Sequence, residues 1–144
     1  MNQSKLTLWQ AIDLFVSQLP FSKEKLEASL GFPLLETSRN AHMAFFESPR
    51  AIDLADNGKI AMLDLRLSTD NKGAGFLLLA LNGVSIGVDE VHARYPNLIV
   101  TDLPRGRSPQ EVTTLTASLP WGTLAFGYRE RIPDRLAYLT IDPE

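Results

Sequence analysis

The residues able to do chemistry in this chain are few and scattered. Asp89 and His92, three positions apart in "VDEVHARY", fall on one face of a helix, a spacing that could give a metal ion two ligands. No third ligand is indicated, because the other histidine, His42, lies about fifty residues away in front of an apolar strand. Each histidine therefore reads as packed or solvated. The chain has no cysteine, which removes disulfides, thiolate zinc sites and thiol nucleophiles together. It shows no glycine-rich phosphate loop, serine elbow or paired-lysine motif. Asp53, Asp56, Asp64 and Asp70 gather around β-turns, where carboxylates ordinarily solubilise the chain. No catalytic, cofactor-binding or metal-binding residue is assigned, and the expectation is a protein that is not an enzyme and uses no cofactor.

The densest run of functional residue types is "SLPWGTLAFGYRERIPDRLAYL", residues 118–139. In an extended segment Leu124, Phe126 and Tyr128 share one face, while Trp121, Thr123, Ala125 and Gly127 share the other. The first set has the makings of core and the second of a shallow surface of small residues. Arg129, Arg131 and Arg135 surround the "RERIPDR" turn with Glu130 and Asp134 between them. Two readings stand: a bent strand ending in a solvated charged turn, or the aromatic and arginine rim of a protein-binding surface. In the second, Trp121, Arg129, Arg131 and Arg135 carry the binding. An acidic surface made of Asp53, Asp56 and Asp70 could serve in their place, drawn to a basic cleft on a partner.

These residues must be positioned by regular elements, and the patterning predicts them. In "LTLWQAIDLFVSQLP" Leu8, Ile12, Phe15 and Leu19 recur at helical spacing, with Thr7 and Gln10 as a capping box and Pro20 as the stop. Ser22 then caps "KEKLEASL", Phe21 and Leu26 have the spacing of a hydrophobic staple, and Gly31 ends this second helix. Beyond Pro33 the period becomes alternating. "AHMAFFES" predicts a strand, and "AIDLADNGKIAMLDLRL" a hairpin whose Asn57-Gly58 pair suits a type I′ turn with positive φ at both residues. Its second arm sends Ala61, Leu63, Leu65 and Leu67 one way and Met62, Asp64 and Arg66 the other. "FLLLALNG" predicts a central strand covered on both sides.

A short helix, "VDEVHARY", ends before Pro96, and "NLIVTDL" returns as a strand. At Ser108, Pro109 and Glu111 a helical start competes with the β-branched alternation of "VTTLTASL". "GTLAFGYRE" and "RLAYLTID" form the last hairpin. The expected fold is α+β in one domain over residues 1–144: an N-terminal helical hairpin packed on one face of a mainly antiparallel, hairpin-linked sheet, with one further short helix.

Composition narrows the partners. A net charge of -3 and a pI near 5.4 give no footprint for a phosphate backbone, so nucleic acid is not expected. No apolar stretch approaches the ~18 residues that span a bilayer, and Met1 to Lys5 lack the basic region and apolar core of a signal peptide, so the cytosol is the expected location.

In size, in helix pair plus sheet, and in the stretch from "YPNL" through "WGTLAFGYRER", the chain resembles bacterial effector-immunity proteins, small domains that bind a secreted toxin and block it. That resemblance implies a protein partner, a cognate toxin, and carries over no functional residue. The chain also resembles secretion chaperones in size and acidity, but those close with a helix and this one closes with a strand. The function expected is occlusion of a toxin's active site. The alternatives are a small enzyme or ligand-binding domain, with His92 and Tyr95 lining a pocket between helices and sheet, and a homodimeric module pairing through a sheet edge.

Overall fold

A computed structural model of the chain describes residues 5–55, 58–70, 73, 75–102, 112–129 and 135–143. The two N-terminal helices begin where their caps put them. Helix α1, Leu8–Val16, opens on a reciprocal box in which the Thr7 hydroxyl accepts from the Gln10 amide at 3.2 Å and the Gln10 side chain accepts from the Thr7 amide at 3.0 Å. Helix α2, Lys23–Leu30, opens on Ser22, whose hydroxyl accepts from the Lys25 amide at 3.1 Å, and ends at Gly31 with φ of 83°. Helix α3, Val88–Arg94, has no side-chain cap and stops just before Tyr95 and Pro96.

The strands are β1 (Leu35–Arg39), β2 (Met43–Glu47), β3 (Ile52–Asp53), β4 (Lys59–Ser68), β5 (Phe76–Asn82), β6 (Ile99–Asp102), β7 (Val112–Leu119), β8 (Gly122–Arg129) and β9 (Leu136–Asp142). They form one sheet in the order β1-β2-β4-β5-β9-β8-β7-β6, with β3 also paired to β4. Every pair is antiparallel. The crossover through α3 carries the chain from β5 to the far edge, and β6 to β9 return strand by strand. The last strand of the chain therefore lies in the middle of the sheet, beside β5.

Register puts the apolar residues of all these strands on one face. Phe46, Leu65, Leu77, Ile141, Leu124 and Ala117 are successive cross-strand partners from β2 to β7, and each is buried. Leu63, Leu79, Leu139, Phe126 and Leu115 make the next row. Leu8, Ile12 and Phe15 of α1, Leu26 of α2 and Val91 of α3 belong to the same buried cluster. Each such side chain, fully buried, contributes about 1.5–3 kcal/mol. Trp9, Tyr95 and Phe126 meet within it, with ring centroids 5.7 to 6.3 Å apart, and the Trp9 indole donates to Glu90 at 3.0 Å, tying α1 to α3.

Five expectations need correction. The hairpin through Gly58 exists, but the Leu54 amide donates to the Gly58 carbonyl at 2.8 Å and Gly58 is not among the positive-φ glycines, so it does not form a type I′ turn. What demands glycine there is contact, since a Cβ would lie 2.7 Å from Val84 Cγ2. A bulge between Ile60 and Met62 turns Ile60 inward and leaves Ala61 exposed, reversing the expected side of Ala61 while Leu63 and Leu65 keep theirs. Strand β5 is central, yet only Leu77, Leu79 and Leu81 are buried, and Phe76, Leu78 and Ala80 on its other side are half-buried. Helix α1 ends at Val16 and not at the expected stop, Pro20. Strand β1 is an additional edge strand, exposed along its whole length. The Ser108 region, Asp56, Asn57 and Arg131 lie outside the described residues.

Candidate binding face of the sheet

The face opposite the buried cluster is open. Its described residues from β2 to β9 are half-buried or exposed, except Gly127 and, at the β9 bulge, Ala137. Three register rows build it. Phe45, Arg66 and Phe76 are cross-strand neighbours on β2, β4 and β5, and the Arg66 guanidinium lies 5.5 Å and 5.2 Å from the two ring centroids. Each such contact is worth about 0.5–1 kcal/mol at an exposed site. Leu78, Thr140, Ala125 and Thr116 form a second row, and Met62, Ala80, Tyr138 and Gly127 a third. Aromatic, methionine and arginine side chains thus flank a strip of small ones.

Asp64 stands beside Arg66 on β4, its Oδ2 3.5 Å from Nη2, a distance that adds little stability so near the surface. Asp64 Oδ1 and Arg66 Nε are shielded from solvent yet have no hydrogen-bond partner. Unmet polar atoms of this kind are uncommon in native structures. A cavity of about 220 Å³ opens beside them, lined by Met43, Arg66, Phe76 and Asp142. On β8 and β9, Arg129 lies 4.9 Å over the Tyr138 ring and its Nη2 donates to the Tyr138 hydroxyl at 2.7 Å.

The expected site residues separate on this frame. Arg129 is on the open face and Arg135 is exposed at the start of β9. Trp121 occupies the β7–β8 turn and packs, half-buried, against the core. Asp53 pairs across the hairpin with Lys59 at the start of β4, whereas Asp70 follows its end, bonded to the Ser68 hydroxyl. At roughly 3.3 Å per residue along β4, the two aspartates are about 30 Å apart and do not form one acidic patch. His42 and His92 are exposed, and Tyr95 is held in the aromatic cluster, where burial first and Asp13 second raise its phenol pKa. Among the described residues no group of three His, Cys, Asp or Glu could hold a metal ion. No helix among them is long and apolar enough to cross a membrane.

A second concavity of about 560 Å³ lies between the start of α2 and strands β1, β2 and β4, over Phe21, Ala44, Phe46 and Leu67. Its cations are already answered. Lys23 Nζ lies 2.8 Å from Glu27, Arg39 Nη2 lies 2.7 Å from Glu36, and Lys25 donates to the Gln18 carbonyl at 2.9 Å. Lys23, and then the Leu34 amide, hold the Glu27 carboxyl below its usual range. Neither His92 nor Tyr95 lines this space.

The residues missed in sequence are Phe45, Arg66, Phe76, Leu78 and Tyr138. The outward position of Arg66 was legible, but its rings come from two other strands and only register joins them. Comparison of the chain with family models, with curated proteins and with solved structures found no match.

Proposed function

We propose that this protein works by binding another protein through the open face of its sheet. The observation that carries the reading is the Phe45–Arg66–Phe76 stack beside a strip of small residues, since arginine and aromatic side chains supply most of the energy at protein interfaces. The concrete form we favour is an immunity-type protein whose face occludes a toxin's active site, with a helical hairpin supporting the sheet from behind. Occlusion needs only a stable scaffold and a complementary surface. Retention of a native-host protein by the immobilised chain tests it: Leu78→Arg, on the open face, loses the partner, while Ala28→Arg, on an exposed position of α2, keeps it. The captured protein expressed alone is toxic and is rescued by co-expression of this chain. Equal retention by both variants contradicts the surface, and a harmless partner contradicts the toxin assignment.

A second reading, a small-ligand domain, is supported by the 560 Å³ concavity beneath α2, a size that suits a metabolite.

A further inference from the structure

At one end of the open face the fold brings two arginines together, and no carboxylate among the described residues pairs with either. Tyr128 and Leu136 are register partners, so Arg129 and Arg135, one position further along the antiparallel strands, stand opposite each other. Both line a cavity of about 90 Å³, together with Leu81, Asn82 and Gly83 at the end of β5. Like charges set opposite each other in a sheet repel, and such a pair is costly unless an anion lies between.

Three other cations of the sheet and of α2 are answered by acids: Lys23 by Glu27, Arg39 by Glu36 and Arg66 by Asp64. Among the described residues neither Arg129 nor Arg135 has a carboxylate within ion-pairing distance. Arg129 is also fixed in place, stacked on Tyr138 and bonded to its hydroxyl, while its shielded Nε has no acceptor. A guanidinium held still and short of acceptors is prepared for an oxyanion, whose geometry its fork matches.

We propose that the Arg129–Arg135 cavity takes a single carboxylate, that of an acidic side chain on the protein that docks against the open face; this rests on the docking reading above. The volume admits one such group and excludes a nucleotide or a sugar, which need about 300 Å³ or more. The partner's acidic residue supplies the counter-charge that Arg129 and Arg135 do not find among the described residues.

The test is an NMR titration of the full chain, following the arginine Nε–Hε signals, with hexaglutamate, hexaglutamine and inorganic phosphate as probes. Arg129 and Arg135 signals shift saturably with hexaglutamate and not with hexaglutamine, and Arg135→Gln weakens that binding by about tenfold or more. Arg135→Lys, which keeps the charge and loses the planar fork, falls between the two and guards against a folding defect. Absence of a saturable shift, or equal binding by a folded Arg135→Gln, overturns the site. Saturation by phosphate at lower concentration than by hexaglutamate overturns the carboxylate assignment. No partner protein is present in this titration, so its failure alongside a Leu78→Arg variant that does lose its partner sinks the carboxylate site alone, and the reverse pattern sinks the docking surface.

Discussion

Tyr138 lies directly across the strand boundary from Gly127 and covers it. A Cβ built on Gly127 would sit 3.4 Å from Tyr138 Cβ and 3.7 Å from Cδ2, an ordinary contact, and Gly127 is not among the positive-φ glycines. The position next to Tyr128 therefore has room for a Cβ beside the aromatic ring on which Arg129 stacks. Backbone conformation does not require glycine there.

The two glycines of this hairpin should then respond in opposite ways. Gly127→Ala is tolerated, or stabilises by about 0.4–1 kcal/mol through the unfolded chain. Gly122→Ala loses about 1–3 kcal/mol or more, because φ there is 148° and a Cβ would lie 2.3 Å from the Asp142 carbonyl. Urea denaturation midpoints of the two variants check this.

At Gly58 the expected loss comes from crowding. Gly58→Ala and Gly58→Asn both lose about 1–3 kcal/mol, since either Cβ meets Val84 Cγ2 at 2.7 Å. A type I′ turn would instead accept asparagine almost as well as glycine. Thermal denaturation of both variants, with Gly58→Ala/Val84→Ala regaining part of the loss, separates the two causes.

Core and rim should also part cleanly. Phe126→Ala costs about 3–5 kcal/mol, because the ring is fully buried against Trp9 and Tyr95. Arg135→Ala stays within about 0.5 kcal/mol of wild type, as an exposed side chain without an ion pair among the described residues. Chemical denaturation measures both.

These responses mirror what the sequence could disclose. Thr7 with Gln10, and Ser22 with Gly31, are local devices, so both helix starts and the end of α2 were legible, whereas α1 ends at Val16, short of the stop expected at Pro20. The alternation of Leu124, Phe126 and Tyr128 named its own buried face. Strand β1 escaped because "LETSR" is exposed on every residue and carries no alternation to detect. The two-sided burial expected of β5 failed because hydrophobicity along a strand does not say whether a second layer exists. Leu78 is apolar and faces no such layer. The Arg66 stack was illegible for another reason: Phe45, Arg66 and Phe76 become neighbours only through the register of three strands.

Tyr128 sets an alkaline limit on stability. Its hydroxyl donates to the Ile86 carbonyl at 2.9 Å, and burial, with Glu90 adding to it, raises its phenol well above the ordinary 10.0. The folded state keeps the proton where the unfolded chain releases it, so this contribution is complete below pH 10.0 and is lost as pH rises from there toward the folded value. Tyr128→Phe lowers stability by about 1 kcal/mol at neutral pH through the missing hydrogen bond and makes the alkaline decline shallower. Denaturation midpoints at a series of alkaline pH values show whether the slope changes.

The most direct measurement of the docking claim is hydroxyl-radical footprinting of the chain, free and in complex with its captured partner. Met43 and Met62, two of the three methionines, stand half-buried on the open face, with Phe45, Phe76 and Tyr138 around them. Trp9 is half-buried on α1, beneath Arg94 at 4.3 Å, on the other side of the molecule from these residues. Docking through the open face lowers oxidation of Met43, Met62 and Tyr138 severalfold in the complex and leaves that of Trp9 unchanged. Protection of Trp9 with Met43 and Met62 oxidised as in the free chain would contradict it.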